Sequence, residues 1–232
     1  MKKIFIFLLP VLLFTACRYK SGSGNIVTEK RNTGSFTSIS VGGGFEVELR
    51  HADVTELTIE ADDNLIKYIH TDVSDGKLRI RLEEINVHDA HLKVFITAPE
   101  INDINASAAA AVVVKDGLKS SGSIKLQASS GANIKTGVDA PGIVADASSG
   151  GELEISGKTM TLKATSSSGS AIHAKDLLSE NTTANASSGA KINVHASLSL
   201  DATASSGGNI SYRGGATDVK KSASSGGDIE KE

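Results

Sequence analysis

Histidines, carboxylates and serines are the residues of this 232-residue chain that could do chemistry, and their spacing decides what each could do. Glu83 and Glu84, with Asp89 close behind, would serve as acid and base only if held together in a cleft. His88 and His91 flank Asp89, and a spacing of three puts two ligands on one face of a helix but on opposite faces of a strand. The alternation Leu92-x-Val94-x-Ile96 marks a strand or its lead-in loop. No metal site is therefore expected there, and the carboxylates read as a charged strand end. His173 and His195 are expected to face solvent. Serine is abundant, but none stands in a Gly-x-Ser-x-Gly elbow, the turn that presents a nucleophile. Gly226-Gly227-Asp228 resembles a calcium-binding roll, yet only the last of a series of similar phrases has Asp at that place. Asn105, Asn181 and Asn185 open Asn-x-Ser/Thr triplets, which so polar a chain supplies by chance. No catalytic residue and no cofactor are assigned.

The elements that would position these side chains are written as a repeat. Ala-Ser-Ser-Gly or a near copy begins at Ala106, Ala128, Ala147, Ser166, Ala186, Ala204 and Ala223, and Ile, Leu or Val follows three residues after each. A period of about twenty residues belongs to stacked arrays, whose units bury their apolar faces only against one another. Before the phrase, alternate positions are mostly apolar and shrink toward it: Ile124, Leu126, Ala128, then Ile143, Ala145, Ala147. After it the face resumes as Ile134 and Thr136, Leu153 and Ile155, Ile172 and Ala174, Ile192 and Val194. Each unit is thus strand, tight corner and strand. Uniform columns, small on small and large on large, favour a parallel β-helix with coils of about 19–20 residues. An antiparallel hairpin array is the alternative. Gly131, Gly150, Gly169, Gly189, Gly207 and Gly226 fit a corner that needs positive φ or a close approach between coils.

The positions just after the corner read Asn133, Glu152, Ala171, Lys191, Asn209 and Asp228. Such variety describes a solvated edge, not a catalytic row. In the last unit the inward columns become Lys221 and Lys231, which reads as a C-terminal cap over 219–232. Residues 35–105 form a β-rich N-terminal part, with Asp75-Gly76 as a turn, Gly42-Gly43-Gly44 as a bend and a short helix in the run Asp62 to Ile69, where Asp62 would cap it. The repeated coils occupy 106–232.

Destination is legible at the N-terminus. Lys2 and Lys3 precede an apolar stretch, 4–14, too short to span a bilayer, and Thr15-Ala16-Cys17 follows. Residues 1–16 read as a secretory signal, and the chain's single cysteine, Cys17, as the acylated first residue of the mature protein. Residues 17–34 would be the lipidated Cys and a flexible tether. By resemblance to lipoprotein sorting rules, the absence of Asp at 18 points to the outer membrane, with its periplasmic or surface face open. Removing Lys2 and Lys3 takes the net charge from −3 to −5, which gives no reason to expect nucleic acid.

Gly43-Gly44-Phe45-Glu46-Val47, the run from Ala61-Asp62-Asp63-Asn64-Leu65 to Asp75-Gly76-Lys77-Leu78-Arg79-Ile80, and the repeated Ala-Ser-Ser-Gly phrase resemble the family "putative auto-transporter adhesin, head GIN domain". The similarity spans nearly all of 35–230. It implies a right-handed β-helix and an exported lipoprotein of the kind common in Bacteroidetes, and it brings no catalytic residues with it. The expectation is a non-catalytic, lipid-anchored cell-envelope protein with an adhesin-like role. Its partners would be a membrane through the acyl anchor, a glycan or cell-surface protein bound along Ser, Thr and Asn rows, and in one arrangement a second copy of itself. A polysaccharide-acting β-helix enzyme and a structural or assembly protein of the periplasm are the alternatives.

Overall fold

In a computed structural model, which describes residues 19–83 and 85–232, the repeats stack as parallel coils of a β-solenoid of about seven turns. Each strand pairs with its own copy one coil along. Ile134 lies beside Leu153, Leu153 beside Ile172, Ile172 beside Ile192, and Ile192 beside Ile210. On the other side of the corner Ile124, Ile143, Leu162, Thr182 and Leu200 form a second inward column. Both ladders are parallel throughout, so the hairpin alternative does not hold for the repeats. These columns are buried, and the Ala positions next to the corner are small because the coil narrows there. Thr182 interrupts an apolar column at no cost in unpaired groups, since its Oγ1 donates to the His195 carbonyl at 2.8 Å.

The corner itself rests on two residues in the left-handed region. Ser149 has φ 48° and Gly150 φ 73°, and every copy from Ser130 to Gly226 repeats the pair. A Cβ added to Gly150 would meet nothing within 4 Å, so the glycine is there for its backbone angle and not for close approach. Gly157, just past the slip in the ladder, needs glycine on both counts: its φ is 111°, and a Cβ would enter the Val138 carbonyl oxygen. Successive corners are linked by hydrogen bonds such as Gly150 N to Ser168 O, 3.2 Å.

The N-terminal part continues the same stack. Ser38–Gly42 runs parallel to Asp103–Ser107 and Glu46–His51 parallel to both Ala111–Val114 and Leu92–Ala98. Antiparallel pairs then close this end: Glu56–Asp62 lies between Leu92–Ala98 and Ile26–Arg31, and Ile69–Ser74 turns through Asp75 and Gly76 into Lys77–Leu82. No break in pairing separates the two halves.

Two expectations are corrected here. The helix expected over 62–69 is a single 3-10 turn, Ile66–Tyr68, with Leu65 at its start and no side-chain cap. Asp62 is turned inward instead and is 2% exposed, and Ile69 is already committed to a strand beside Leu82. The tether expected over 17–34 is largely strand where it is described. Tyr19–Ser21 pairs with Asn86–His88 and Ile26–Arg31 with Glu56–Asp62. Between them, Gly24 N donates to Asp62 at 2.7 Å, and Ser23 and Asn25 bond the Asp63 carboxylate. The partners that order the polar Ser-Gly-Ser-Gly-Asn run lie about forty residues away, so nothing in its local sequence shows them. Tyr19 also lines, with Gly43, Leu82 and Val87, a hollow of about 690 Å³. Residues 1–16 and Cys17 lie outside the described residues, as does Glu84.

At the far end Asp218–Ala223 is exposed along its whole length, because no further coil covers it.

Candidate binding surface

Outward residues of the strands that precede the corner stack into polar columns, because the pairing that aligns inward Ile with Leu also aligns their neighbours. Along one column stand Asn105, Gln127, Asp146, Thr165, Asn185, Thr203 and Ser222, each beside the next. Strand spacing sets the step at about 4.8 Å. Asn105 donates to Gln127 at 3.4 Å, while the others leave donors or acceptors turned to solvent. The adjacent column reads Lys125, Val144, Lys163, Thr183, Asp201 and Lys220, and its lysines make no ion pair among the described residues. This flank can therefore offer hydroxyl, amide and ammonium groups at a fixed repeat.

On the flank after the corner, several charges meet one another: Lys135 meets Glu154 at 2.6 Å, and Glu48 meets Arg50 at 2.9 Å and Lys115 at 3.5 Å. The Arg50 hydrogen bond holds the Glu48 carboxyl below the usual glutamate range. His173 points outward, as expected, but bridges Glu152 at 3.4 Å and Asn193 at 3.1 Å. His195 is likewise partly exposed, but its Nδ1 is enclosed without a hydrogen-bond partner, and Arg213 stands beside it in the next coil.

The chemistry-bearing residues near 83–91 do not converge. Glu83 pairs with His70 at 3.0 Å, His88 with Ser21 at 3.0 Å and His91 with Glu60 at 3.8 Å, and Asp89 is 97% exposed. Each partner is on a different strand. Among the described residues no three His, Cys, Asp or Glu side chains are grouped as metal ligands. Nor does any helix among them have the length and apolarity to cross a membrane. Arg81, held by Asp72, is raised further above its usual range, which suits a structural ion pair at the strand edge. The sequence signalled the polar columns through the Ser, Thr and Asn rows, but which flank would leave its charges unpaired was not readable before register was known.

A family model described as "putative auto-transporter adhesin, head GIN domain" matches residues 35–216. The chain belongs to that family. That description suggests an exported protein of the cell envelope. Among solved structures, a putative adhesin from Bacteroides fragilis NCTC 9343 superposes with a TM-score of 0.85 at 20% identity, covering 92% of this chain and 100% of its own. A putative adhesin from Parabacteroides merdae ATCC 43184 gives 0.74 at 18% identity, covering 93% and 100%. A putative lipid binding protein from Parabacteroides distasonis ATCC 8503 gives 0.73 at 19% identity, again covering 93% and 100%. At these identities the likeness is one of fold. No functionally curated protein matches the sequence.

Proposed function

We propose that this protein is a non-catalytic adhesin of the cell envelope, anchored to the outer membrane by acyl chains on Cys17, that binds a glycan or cell-surface protein through its polar columns. The observation that carries the reading is the unbroken column from Asn105 to Ser222, which repeats one kind of weak contact at every coil. Contacts repeated on a rigid support add through effective concentration, so affinity comes from avidity and needs no deep pocket. The anchor reading rests on the residues around Cys17, where one cysteine follows a short apolar stretch.

A glycan array read beside turnover assays on the same polysaccharides tests this. Retention without product release is expected, and the triple substitution Thr165→Ala, Asn185→Ala, Thr203→Ala should lower it about tenfold. Release of product would replace the reading with an enzymatic one, and absence of both would favour a structural role. Whole-cell surface labelling provides the second check, because a protein that faces only the periplasm cannot act as an adhesin.

A further inference from the structure

Along the edge opposite the Ser-Ser-Gly corner, three columns form a groove parallel to the solenoid axis. Its floor is the inward-facing series Ala140, Thr159 and Ser179, small residues at most 7% exposed. One wall is Lys119, Asp139, Lys158 and Leu178. The other is Pro141, Met160 and Glu180, and Leu198 extends it through its N–H bond to the Glu180 carbonyl, 2.9 Å. The depression between the walls, open to solvent, holds about 450 Å³. Met160, Leu178 and Leu198 are 55–57% exposed, large apolar side chains left in water on neighbouring coils. Exposed apolar groups collected in one place mark a contact surface more often than scattered ones do.

What the floor lacks identifies the occupant. Thr159 Oγ1 already donates to the Thr161 carbonyl, Ser179 Oγ to the Asn181 carbonyl and Ser197 Oγ to the Ser179 carbonyl, each at 3.1 Å. The backbone beneath is committed to the parallel ladders. Of the charged groups in the walls, Lys158 and Asp139 pair with each other at 3.3 Å, which leaves Glu180 without an ion pair among the described residues. A peptide or a glycan laid over this floor would lose water from its N–H or O–H groups and find few partners on it in return. A hydrocarbon chain has no such groups to satisfy. At the Lys119 end the groove opens into a polar hollow of about 530 Å³ that shares Asp139 and contains Lys119, Ser120 and Glu100. Lys119 and Glu100 make no ion pair among the described residues; Glu100 accepts only from Ser120 at 3.5 Å. Charges of both signs stand there unmatched.

We propose that this groove is a binding site for a single-chain phospholipid with a zwitterionic head, a lysophospholipid. Its acyl chain lies between Met160 and Leu178 toward Leu198, and its phosphate and ammonium meet Lys119 and Glu100. This site is separate from the polar columns and does not depend on the adhesin reading.

The purified protein is incubated with a lysophosphatidylethanolamine that carries a diazirine near the end of its acyl chain, irradiated and mapped by mass spectrometry. Adducts are expected on the peptides bearing Met160, Leu178 or Leu198. Competition by unlabelled lipid should weaken about fourfold for two methylenes removed, the value for a chain half covered by protein. Met160→Gln with Leu178→Gln, at positions already in water and so compatible with folding, should cut labelling about tenfold, while Thr183→Gln should not. Adducts scattered over the surface or gathered in the hollow lined by Tyr19 would overturn the site, as would labelling unchanged in the double variant. Equal competition by a fatty acid of the same length would overturn the assignment of the head, and with it the ligand.

Discussion

The ammonium of Lys221 stands 4.5 Å from the centre of the Tyr212 ring, and its Nζ reaches the Ile229 carbonyl at 3.5 Å. Tyr212 is among the last inward residues to be well buried, at 5% exposure, and Lys221 occupies the column that Ala202 fills one coil earlier. A long side chain with a charged tip thus covers the end of the core while keeping its charge in water. Unpaired strands at a solenoid end are templates for further pairing, and inward-pointing charge blocks it. Lys221→Ile should therefore produce stronger concentration-dependent association in sedimentation velocity than the unaltered protein shows. If both sediment alike, Lys221 does not guard the end.

The corner geometry predicts a graded response. Gly150→Ala introduces no clash but keeps a left-handed angle that L-residues disfavour, and should cost about 1–2 kcal/mol by denaturant unfolding. Gly151→Ala puts a methyl group into the Ala128 carbonyl and should cost more. The reverse order would mean that the corner relaxes more easily than its angles suggest.

Asp62 ties the N-terminal strands to the body of the solenoid. It accepts from Gly24 N and His91 N, both at 2.7 Å, and is buried. Asp62→Ala leaves those donors unpaired, a loss of about 2–3 kcal/mol, and should make the segment near Gly24 the first site of limited proteolysis. Cleavage elsewhere first would show that the strand Ile26–Arg31 holds without the aspartate.

Next to it, Asp63 accepts from Ser23 at 2.6 Å and from Asn25 at 2.8 Å, and these bonds hold its carboxyl below the ordinary 3.8. A depressed carboxylate contributes stability that is complete above the ordinary value and lost as pH falls through the folded one. Amide exchange at Ser23 and Asn25 should thus accelerate only in acid below that value, and Asp63→Asn should flatten the profile.

Much of the architecture was legible because the repeat is a physical necessity of stacking. A column that lines a narrow coil must stay apolar and near-constant in size, so Ile134, Leu153 and Ile172 announce their register in the sequence. The Ser-Ser-Gly corner announced one left-handed residue. That the serine before the glycine is left-handed too, as at Ser149, was not signalled, since serine carries no preference that marks it. Asp62 misled in the other direction: an aspartate before apolar residues at helical spacing suits a cap, and nothing local reveals that Gly24 and His91 claim it first.

The sequence by itself determined the period, the inward faces and the charged final unit, and favoured the parallel stack over a hairpin array, because each depends on residues close together or on identical positions in successive coils. Tertiary structure decided what depends on residues of unlike position. The antiparallel closure by Ile26–Arg31, the docking of Gly24 on Asp62, and the groove walled by Met160 and Leu178 all join segments whose one-dimensional patterns have nothing in common. Periodicity records which neighbours are equivalent; only folding brings unlike ones together.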